Sequence, residues 1–264
     1  LEKSSHQVKV KVMDANELYD PEFRKLIKSK NPTVIIPVGS LEQHGAHLPI
    51  TTDSDIVTEI ASRLGKKCDF IVLPTISYGI SFEHSPLTNI NIWTPGNPFR
   101  DSGSSRHSYN FLFEIICSIW EMRGLYNSRI DKGLSIIILN GHHGNVEELN
   151  KLVKIRSTNV LIDRFKDTLS LHSYWHFMKH EFDHAGFVET SIMLAISDKV
   201  KMKKAKKGLI TKGLSEKEIQ RINKLSTQPG GFPKVAKNGV WGDPTGATKK
   251  DGEKFLAEIV RNLA

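Results

Sequence analysis

The chain has 264 residues, a formal net charge of +8, 39% hydrophobic residues and 25% charged residues, a balance typical of a soluble protein with a well-buried core. No apolar stretch reaches the ~20 residues of a membrane span, and the N-terminal LEKSSHQVKVKV lacks the apolar region of a signal peptide. Cys68 and Cys117 form no CxxC spacing, so we expect reduced, buried thiols in a cytoplasmic protein and no disulfide framework.

Apolar runs and helical periodicity alternate along the chain. The runs predict strands at 33–38, 70–73, 134–139 and 160–162. Apolar residues at helical spacing predict helices at 55–64 and 109–122, and another from the tight segment 140–145 through residue 155. This alternation predicts an α/β fold over residues 1–264 as one domain, with a mostly parallel sheet sandwiched between helices. Ligand-binding residues of such a sheet gather beyond the carboxyl ends of its strands.

Three candidate metal ligands follow the first predicted strand, in the segment PVGSLEQHGAHLPITTD. Glu42 and His44 are two residues apart, so on an extended segment their side chains point to the same side, and Asp53 returns after a short loop. Two carboxylates and an imidazole at one strand end suit a divalent metal such as zinc, manganese or iron. The alternative is that all three are polar loop residues, with Asp53 as a helix N-cap.

A second cluster, NGHHGN at 140–145, follows the most hydrophobic predicted strand. Its two glycines permit a sharp turn from strand to helix, and His142 would project from the strand end toward the first cluster. His143 is a candidate for contact with the metal or for local packing. Asn145 is a candidate helix N-cap.

A third cluster, DHAGFVETS at 183–191, contains His184 and Glu189. His184 precedes a predicted helix, which suits a catalytic histidine held at a helix N-terminus, and the alternative is a hydrogen-bonded loop histidine. Glu189 lies just ahead of the apolar run, and a buried carboxylate requires a partner or a metal. The apolar residues expected to be buried in this helix are Ile192, Met193, Ala195 and Ile196.

Much of the positive charge lies between residues 199 and 207, where six of nine residues are lysine. This run has no interleaved aromatic residue and no recognisable nucleic-acid-binding module around it. A solvated surface segment explains the run better than a phosphate-binding patch. We therefore expect neither a nucleic-acid partner nor a membrane partner.

Four motifs, in order along the chain, resemble the creatininase (creatinine amidohydrolase) family. They are EQHG with HLP and TD between 42 and 53, NGH at 140–142, HAG with ETS between 184 and 191, and GVWGDP with AT and GE between 239 and 253. The resemblance extends from about residue 33 to about residue 260. The first and third motifs are the specific ones, because NGH alone is a weak signal.

The resemblance implies an α/β/α fold, a divalent metal site with two ions per subunit, and hydrolysis of a non-peptide carbon–nitrogen bond in a small cyclic amide or formamide. Deformylation of a formamidopyrimidine nucleotide is one such reaction in the family. The resemblance also implies a homo-oligomer, a hexamer by the family's habit. His184 would transfer the proton, and Glu189 would be either a metal ligand or a neighbour of one. The metal ligands implied by the family pattern, with Asp53 bridging, are Glu42, His44, Asp53 and His142.

Two departures from the family bear on the substrate. Creatininase has a glutamate two residues after the ligand histidine of NGH, where this chain has Gly144. Creatininase also places a tryptophan over its substrate, and this chain has His180 at that position, with Phe182 nearby. The stretch 85–90 differs from the family's usual FPGT-type sequence, and 97–108 reads as an insertion. We therefore do not expect creatinine as the substrate. Candidate substrate-binding residues are His84, His143, Gly144 and Trp175.

Three functions fit these patterns. The favoured function is a metal-dependent amidohydrolase that acts on a small heterocycle. In its mechanism a metal-bound water has a pKa near neutral, the scissile carbonyl is polarised, and His184 donates a proton to the departing nitrogen. A metallopeptidase acting on a short peptide would need a longer groove. A non-enzymatic basic binding protein would hold no metal and would bind nucleic acid with a steep salt dependence.

Overall fold

The computed structural model describes residues 14–28, 32–79, 83, 114–115, 118–119, 135–155 and 168–264. The predicted strand at 160–162, the stretches 85–90 and 97–108, and the residues His84 and Cys117 lie outside the described part of the chain. Of the predicted helix at 109–122, the four described residues are helical.

Four parallel strands form one sheet within the described residues, in the order β2-β1-β3-β4. β1 pairs with β3 along its whole length, up to Val38 opposite Asn140. β3 pairs with β4 up to Asn140 opposite Ser173. The carboxyl ends of β1, β3 and β4 therefore lie side by side, and the residues that follow them emerge at one edge. The strands are β1 (Thr33–Val38), β2 (Ile71–Val72), β3 (Ser135–Asn140) and β4 (Thr168–Ser173).

The described helices confirm the alternation of strands and helices. The α-helices are α1 (Asp20–Ile27), α2 (Thr52–Cys68), α3 (Val146–Ile155), α4 (Phe187–Ile196), α5 (Glu216–Ser226), α6 (Phe232–Val235) and α7 (Lys249–Leu263). Short 3-10 helices are formed by Ala15–Glu17, His143–Asn145, Tyr174–Phe177, Met202–Lys204 and Pro244–Gly246.

Alternate residues of the central strands point to opposite faces of the sheet. Ile35 and Leu139 belong to one buried cluster with residues of α2, α4 and α7. Val34, Ile36 and Ile138 belong to a second cluster with residues of α1 and α3. Each fully buried aliphatic side chain contributes about 1.5–3 kcal/mol by leaving water. Helices thus cover both faces, and the predicted parallel sheet between helices is confirmed.

Helix α2 is longer than predicted and begins before the candidate ligand Asp53. Its N-cap is Thr51, so Asp53 lies in the first turn and the predicted alternative, an N-cap role, is wrong. The helix ends at Cys68, where Asp69 adopts the left-handed conformation with φ 56°. Cys68 is half-buried, so it is more exposed than the buried thiol that we expected.

The lysine-rich run between residues 199 and 207 includes the 3-10 helix Met202–Lys204. All six of its lysines are exposed, which agrees with the predicted solvated surface segment. Among the described residues, no helix combines the length and the hydrophobicity that a membrane span requires.

Candidate metal centre

The loop after β1 carries Glu42 and His44 into the interior, where each is about 1% exposed. The backbone N–H of Glu42 donates to the carbonyl of Ile50 at 3.0 Å, which closes the loop. His44 Nδ1 lies 3.3 Å from the backbone carbonyl of Glu42. A carbonyl oxygen only accepts, so Nδ1 holds a proton and Nε2 faces the carboxylates. At Gly45 φ is +64°, and an added Cβ would lie 2.8 Å from the Val240 side chain.

Asp53 lies between two histidines. Its Oδ1 is 3.1 Å from Nε2 of His44, and its Oδ2 is 3.0 Å from Nδ1 of His142. One carboxylate thus faces both imidazoles from the first turn of α2. This is the arrangement expected of a bridging ligand.

The NGH motif positions His142 through its two neighbours. The Asn140 side chain accepts from the backbone N–H of His142 at 3.1 Å and donates to its carbonyl at 2.8 Å. At Gly141 an added Cβ would lie 2.7 Å from the Asp53 carbonyl and 2.8 Å from the Val57 side chain, so only glycine lets α2 approach β3. The Asn145 amide donates to the Gly39 carbonyl at 3.0 Å and to Asn140 Oδ1 at 3.2 Å. Asn145 therefore joins the ends of β1 and β3 through its side-chain amide, and its N-cap role stays a prediction.

Helix α4 brings Glu189 to the same centre. Glu189 Oε2 is 3.5 Å from His44 Nε2 and accepts from the backbone N–H of Ala185 at 2.7 Å. The Tyr174 hydroxyl donates to its other oxygen at 3.5 Å. These contacts hold both carboxylate oxygens. Ala185 adopts the left-handed conformation with φ 52°, which is costly for a residue with a side chain.

Two side chains outside the predicted site hold α4 in place. The Asp183 carboxylate accepts from the N–H groups of Val188 at 2.9 Å and Glu189 at 3.3 Å, and so satisfies donors of the first helical turn. His47 is buried, and its Nε2 lies 3.0 Å from Thr190 Oγ1. Burial lowers the pKa of His47. Of the four apolar residues predicted to be buried in this helix, Ile192 and Met193 are buried, and Ala195 and Ile196 are partly buried.

His184 faces the centre through one ring nitrogen. Its Nε2 lies 3.0 Å from the backbone carbonyl of Gln43, which can only accept, so Nε2 holds the proton in this contact. Its Nδ1 lies 3.5 Å from Glu42 Oε1. The backbone of His184 pairs with that of Trp241 in both directions, at 3.0 and 2.8 Å. Phe232 packs edge-on against the ring at 4.7 Å.

The structure brings all the predicted metal ligands together. Their ligand atoms form overlapping sets whose members lie within 4.8 Å of one another: Glu42 with Asp53 and His142, His44 with Asp53 and Glu189, and Glu42 with His44 and His184. The first two sets share Asp53. Mixed carboxylate and imidazole donors suit zinc, manganese or iron. In the second set Glu189 offers a carboxylate beside that of Asp53, at a centre where Gly144 has no side chain to offer one.

The buried charges compensate one another. Burial disfavours protonated His44, but Asp53 and Glu189 outweigh burial and raise its pKa to about 10. The pKa of His142 is likewise raised, because the nearby carboxylates outweigh burial. Burial raises the pKa of Glu189 to about 8, although the charge of His44 opposes this. The pKa of Asp53 is lowered, since the histidines outweigh its burial. Either protons on these groups or a bound cation can balance the buried carboxylates.

A cavity of about 770 Å³ opens from this centre. Of the candidate substrate-binding residues, His143 and Gly144 line it. Trp175 is 8% exposed and packs behind the cavity wall against His143 and Phe182, with ring centroids 6.0 and 4.8 Å away. No lysine or arginine occurs among the described lining residues. The acidic ones are Glu42, Asp53, Glu83, Glu147, Glu181, Asp183 and Glu189.

Several lining or supporting residues are not predicted from the sequence. Glu83 Oε1 lies 3.6 Å from His142 Nε2, and burial raises the pKa of Glu83 to about 7. Phe232 and Trp241 form part of the wall. The GVWGDP motif was a signal for Trp241. No periodicity or spacing marks Glu83 or Phe232.

Comparison with known proteins gives consistent matches. The sequence profile of the creatininase family, described as creatinine amidohydrolase, matches residues 16–264. A mycofactocin precursor peptide peptidase from Mycolicibacterium smegmatis is 30% identical over 251 residues, which cover 90% of this chain and 85% of the relative. A creatinine amidohydrolase from Pseudomonas putida is 22% identical over 196 residues, which cover 68% of this chain and 70% of the relative.

Solved structures share the fold. A creatininase crystal structure superposes with a TM-score of 0.72 at 20% identity, covering 96% of this chain and 95% of its own. A structure described as creatininase Mn gives a TM-score of 0.71 at 20% identity, covering 96% of each chain. The predicted creatininase-like arrangement of sheet and helices is confirmed.

Proposed function

This chain belongs to the creatininase family of hydrolases, and on that premise we propose that it is a metal-dependent amidohydrolase that cleaves a carbon–nitrogen bond. The observation that carries the proposal is the pair of ligand sets that share Asp53. Buried carboxylates and imidazoles at these distances need a cation or protons to coexist. The ligands are Glu42, His44, Asp53, His142 and Glu189, and two ions of zinc, manganese or iron fit the two sets.

Bound divalent ions supply a Lewis acid for the scissile carbonyl and lower the pKa of water. The chain's own residues orient these groups. The Glu42 carbonyl keeps the Nδ1 proton of His44 and directs Nε2 inward, and the Ala185 N–H and Tyr174 hydroxyl fix the two oxygens of Glu189.

His184 is the proton-transfer residue in this proposal. Because the Gln43 carbonyl engages Nε2, the atom available to the centre is Nδ1. Nδ1 would take a proton from the attacking water and pass it to the departing nitrogen, while Phe232 packs edge-on against the ring. Glu189 keeps its carboxylate beside the same centre and takes part as ligand and as acceptor.

The substrate class that we propose first is a small cyclic amide or formamide, including a formamidopyrimidine nucleotide. The family description supports it, as does the similarity to a creatinine amidohydrolase. A short peptide is the second candidate. Two observations favour the peptide: the 30% identity to a peptidase that acts on a peptide precursor, and a cavity of about 770 Å³, within the range of pockets that enclose drug-sized ligands.

Elemental analysis of the purified protein tests the metal centre, and a substrate panel tests the chemistry. We expect a stoichiometric transition metal in the wild type and none in His44→Ala, which should also lose hydrolysis. Unchanged metal content in His44→Ala would contradict the assignment. Cyclic amides, formamides and ureides are compared with short peptides of matched size, and turnover confined to one group identifies the substrate class.

We further propose that residues 1–264 form one domain that self-associates, as a hexamer by analogy with the family. Light scattering coupled to size-exclusion chromatography measures the mass of the assembly, and a monomer at micromolar concentration would contradict this.

A further inference from the structure

Glu83 lies beside the metal centre without belonging to it. Its side chain is 18% exposed and lines the cavity. It is in none of the ligand sets formed by the described residues. In the centre it faces His142, whose Nε2 is 3.6 Å from Glu83 Oε1.

The two ring nitrogens of His142 face different groups. Nδ1 faces the ligand carboxylates, 3.0 Å from Asp53 Oδ2 and 3.4 Å from Glu42 Oε2. Nε2 points the other way, toward Glu83. The hydrogen bonds from Asn140 hold the main chain of His142, and the contact with Glu83 lies on the other side of its buried ring.

We propose that Glu83 is a positioning residue that accepts a hydrogen bond from the Nε2–H of His142 and thereby fixes Nδ1 as the metal-binding atom. Histidine ligands commonly donate their second N–H to a carboxylate, which sets the tautomer and strengthens the imidazole as a donor. The 3.6 Å separation becomes a hydrogen bond after a shift of a few tenths of an ångström. This inference rests on the proposed metal centre and adds a role for a residue outside it.

The position of Glu83 argues against two other roles. Glu42 and Asp53 face Nδ1 of His142, whereas Glu83 faces Nε2, so a metal held by the first three residues would not have Glu83 as a direct ligand. A substrate contact would leave the affinity for metal unchanged, and this difference can be measured.

Cobalt binding provides the test, because Co²⁺ reports ligand geometry through its visible absorption. Metal-free wild type, Glu83→Ala and Glu83→Gln are titrated with Co²⁺, and dissociation constants are obtained by competition with a chelating dye. Glu147→Ala is the matched control, since Glu147 is another glutamate lining the same cavity and pairs with Lys151 at its edge. Circular dichroism and urea denaturation of the metal-free proteins verify that each variant folds.

We expect Glu83→Ala to weaken Co²⁺ binding about 10–100-fold, the usual effect of losing such a partner, and to change the absorption spectrum. Glu83→Gln keeps an acceptor oxygen without the charge and should lose less, while Glu147→Ala should match the wild type. Equal Co²⁺ affinity and an unchanged spectrum in both Glu83 variants would overturn the inference, even if the KM for the substrate changed. Absence of saturable Co²⁺ binding in the wild type would instead overturn the proposed metal centre.

Discussion

The candidate centre combines a part built on the sheet with a part built on helix α4. Glu42, His44 and His142 follow the ends of β1 and β3, and short local contacts position them. His184 and Glu189 are held by distant segments, including Gln43 of the first loop and Trp241 near the C-terminus. The sheet-borne part therefore depends on strand pairing, whereas the helix-borne part depends on contacts between residues far apart in sequence. Substitutions can separate the two parts.

Asp53 joins the two parts, so its loss should have the largest effect. Asp53→Asn removes a charged ligand from both sets that contain it, and we expect loss of both metal ions and a fall in kcat/KM of at least about 1,000-fold, or about 4 kcal/mol. Glu189→Gln is the matched control, because it alters only the helix-borne set and should retain about one ion. Elemental analysis gives the metal content of both variants. Equal retention in the two variants would show that Asp53 does not bridge.

The next largest effect concerns His184, which distinguishes proton transfer from metal binding. His184→Gln should lower kcat by about 100- to 10,000-fold, the usual contribution of a general acid, while the metal content stays at the wild-type level. Stopped-flow or steady-state assays with the identified substrate give kcat, and elemental analysis gives occupancy. Loss of one ion would instead make His184 a ligand in the set with Glu42 and His44.

Asp183 tests how the helix-borne part is held. Its carboxylate accepts from N–H groups of the first turn of α4, and asparagine can take over that role while alanine cannot. We expect Asp183→Ala to be less stable than Asp183→Asn by about 1–2 kcal/mol, measured by urea denaturation. Equal stability of the two variants would mean that the cap contributes nothing.

The wild type should also differ from Asp183→Asn in its pH dependence. Burial raises the pKa of Asp183 from 3.8 to about 6, so the folded carboxyl holds its proton more tightly than the unfolded one. The resulting stability is present below about pH 4 and is lost as the pH rises through about 6. Between about pH 4 and pH 6 we expect the free energy of unfolding of the wild type to fall relative to that of Asp183→Asn, by at most about 3 kcal/mol. A pH-independent difference would contradict the raised pKa.

The smallest effect is expected at the surface contact between helices α2 and α7. Arg63 of α2 contacts Glu253 of α7 at 2.7 and 3.3 Å, and α7 packs on α4. Both side chains are partly exposed, so Arg63→Gln should cost at most about 1 kcal/mol. The control is Lys254→Gln, which removes an ion pair within α7 alone. Denaturation at low and high salt measures both, and a larger loss from the control would show that the link between helices adds nothing.

The same contrast explains which features the sequence predicts. Continuous apolar runs identify β1 and β3, and the polar segments after them contain the candidate sheet-borne ligands. β4 was not predicted, because Thr168–Ser173 alternates only two leucines with polar residues. The partners of His184 are equally invisible to local patterns, since Gln43 lies 141 residues away. The family motifs identified His184 and Glu189, but not the contacts that hold them.

Gly141 has a consequence for how this enzyme can vary. The Cβ of any other residue there would meet the main chain of Asp53. Strand β3 and helix α2 can therefore pack this closely only with glycine at this position. Ile219, Asn223 and Phe232 also line the cavity but lie on α5 and α6, away from this contact. Replacing them is therefore a way to seek new substrates, while the face that carries the candidate ligands remains as it is.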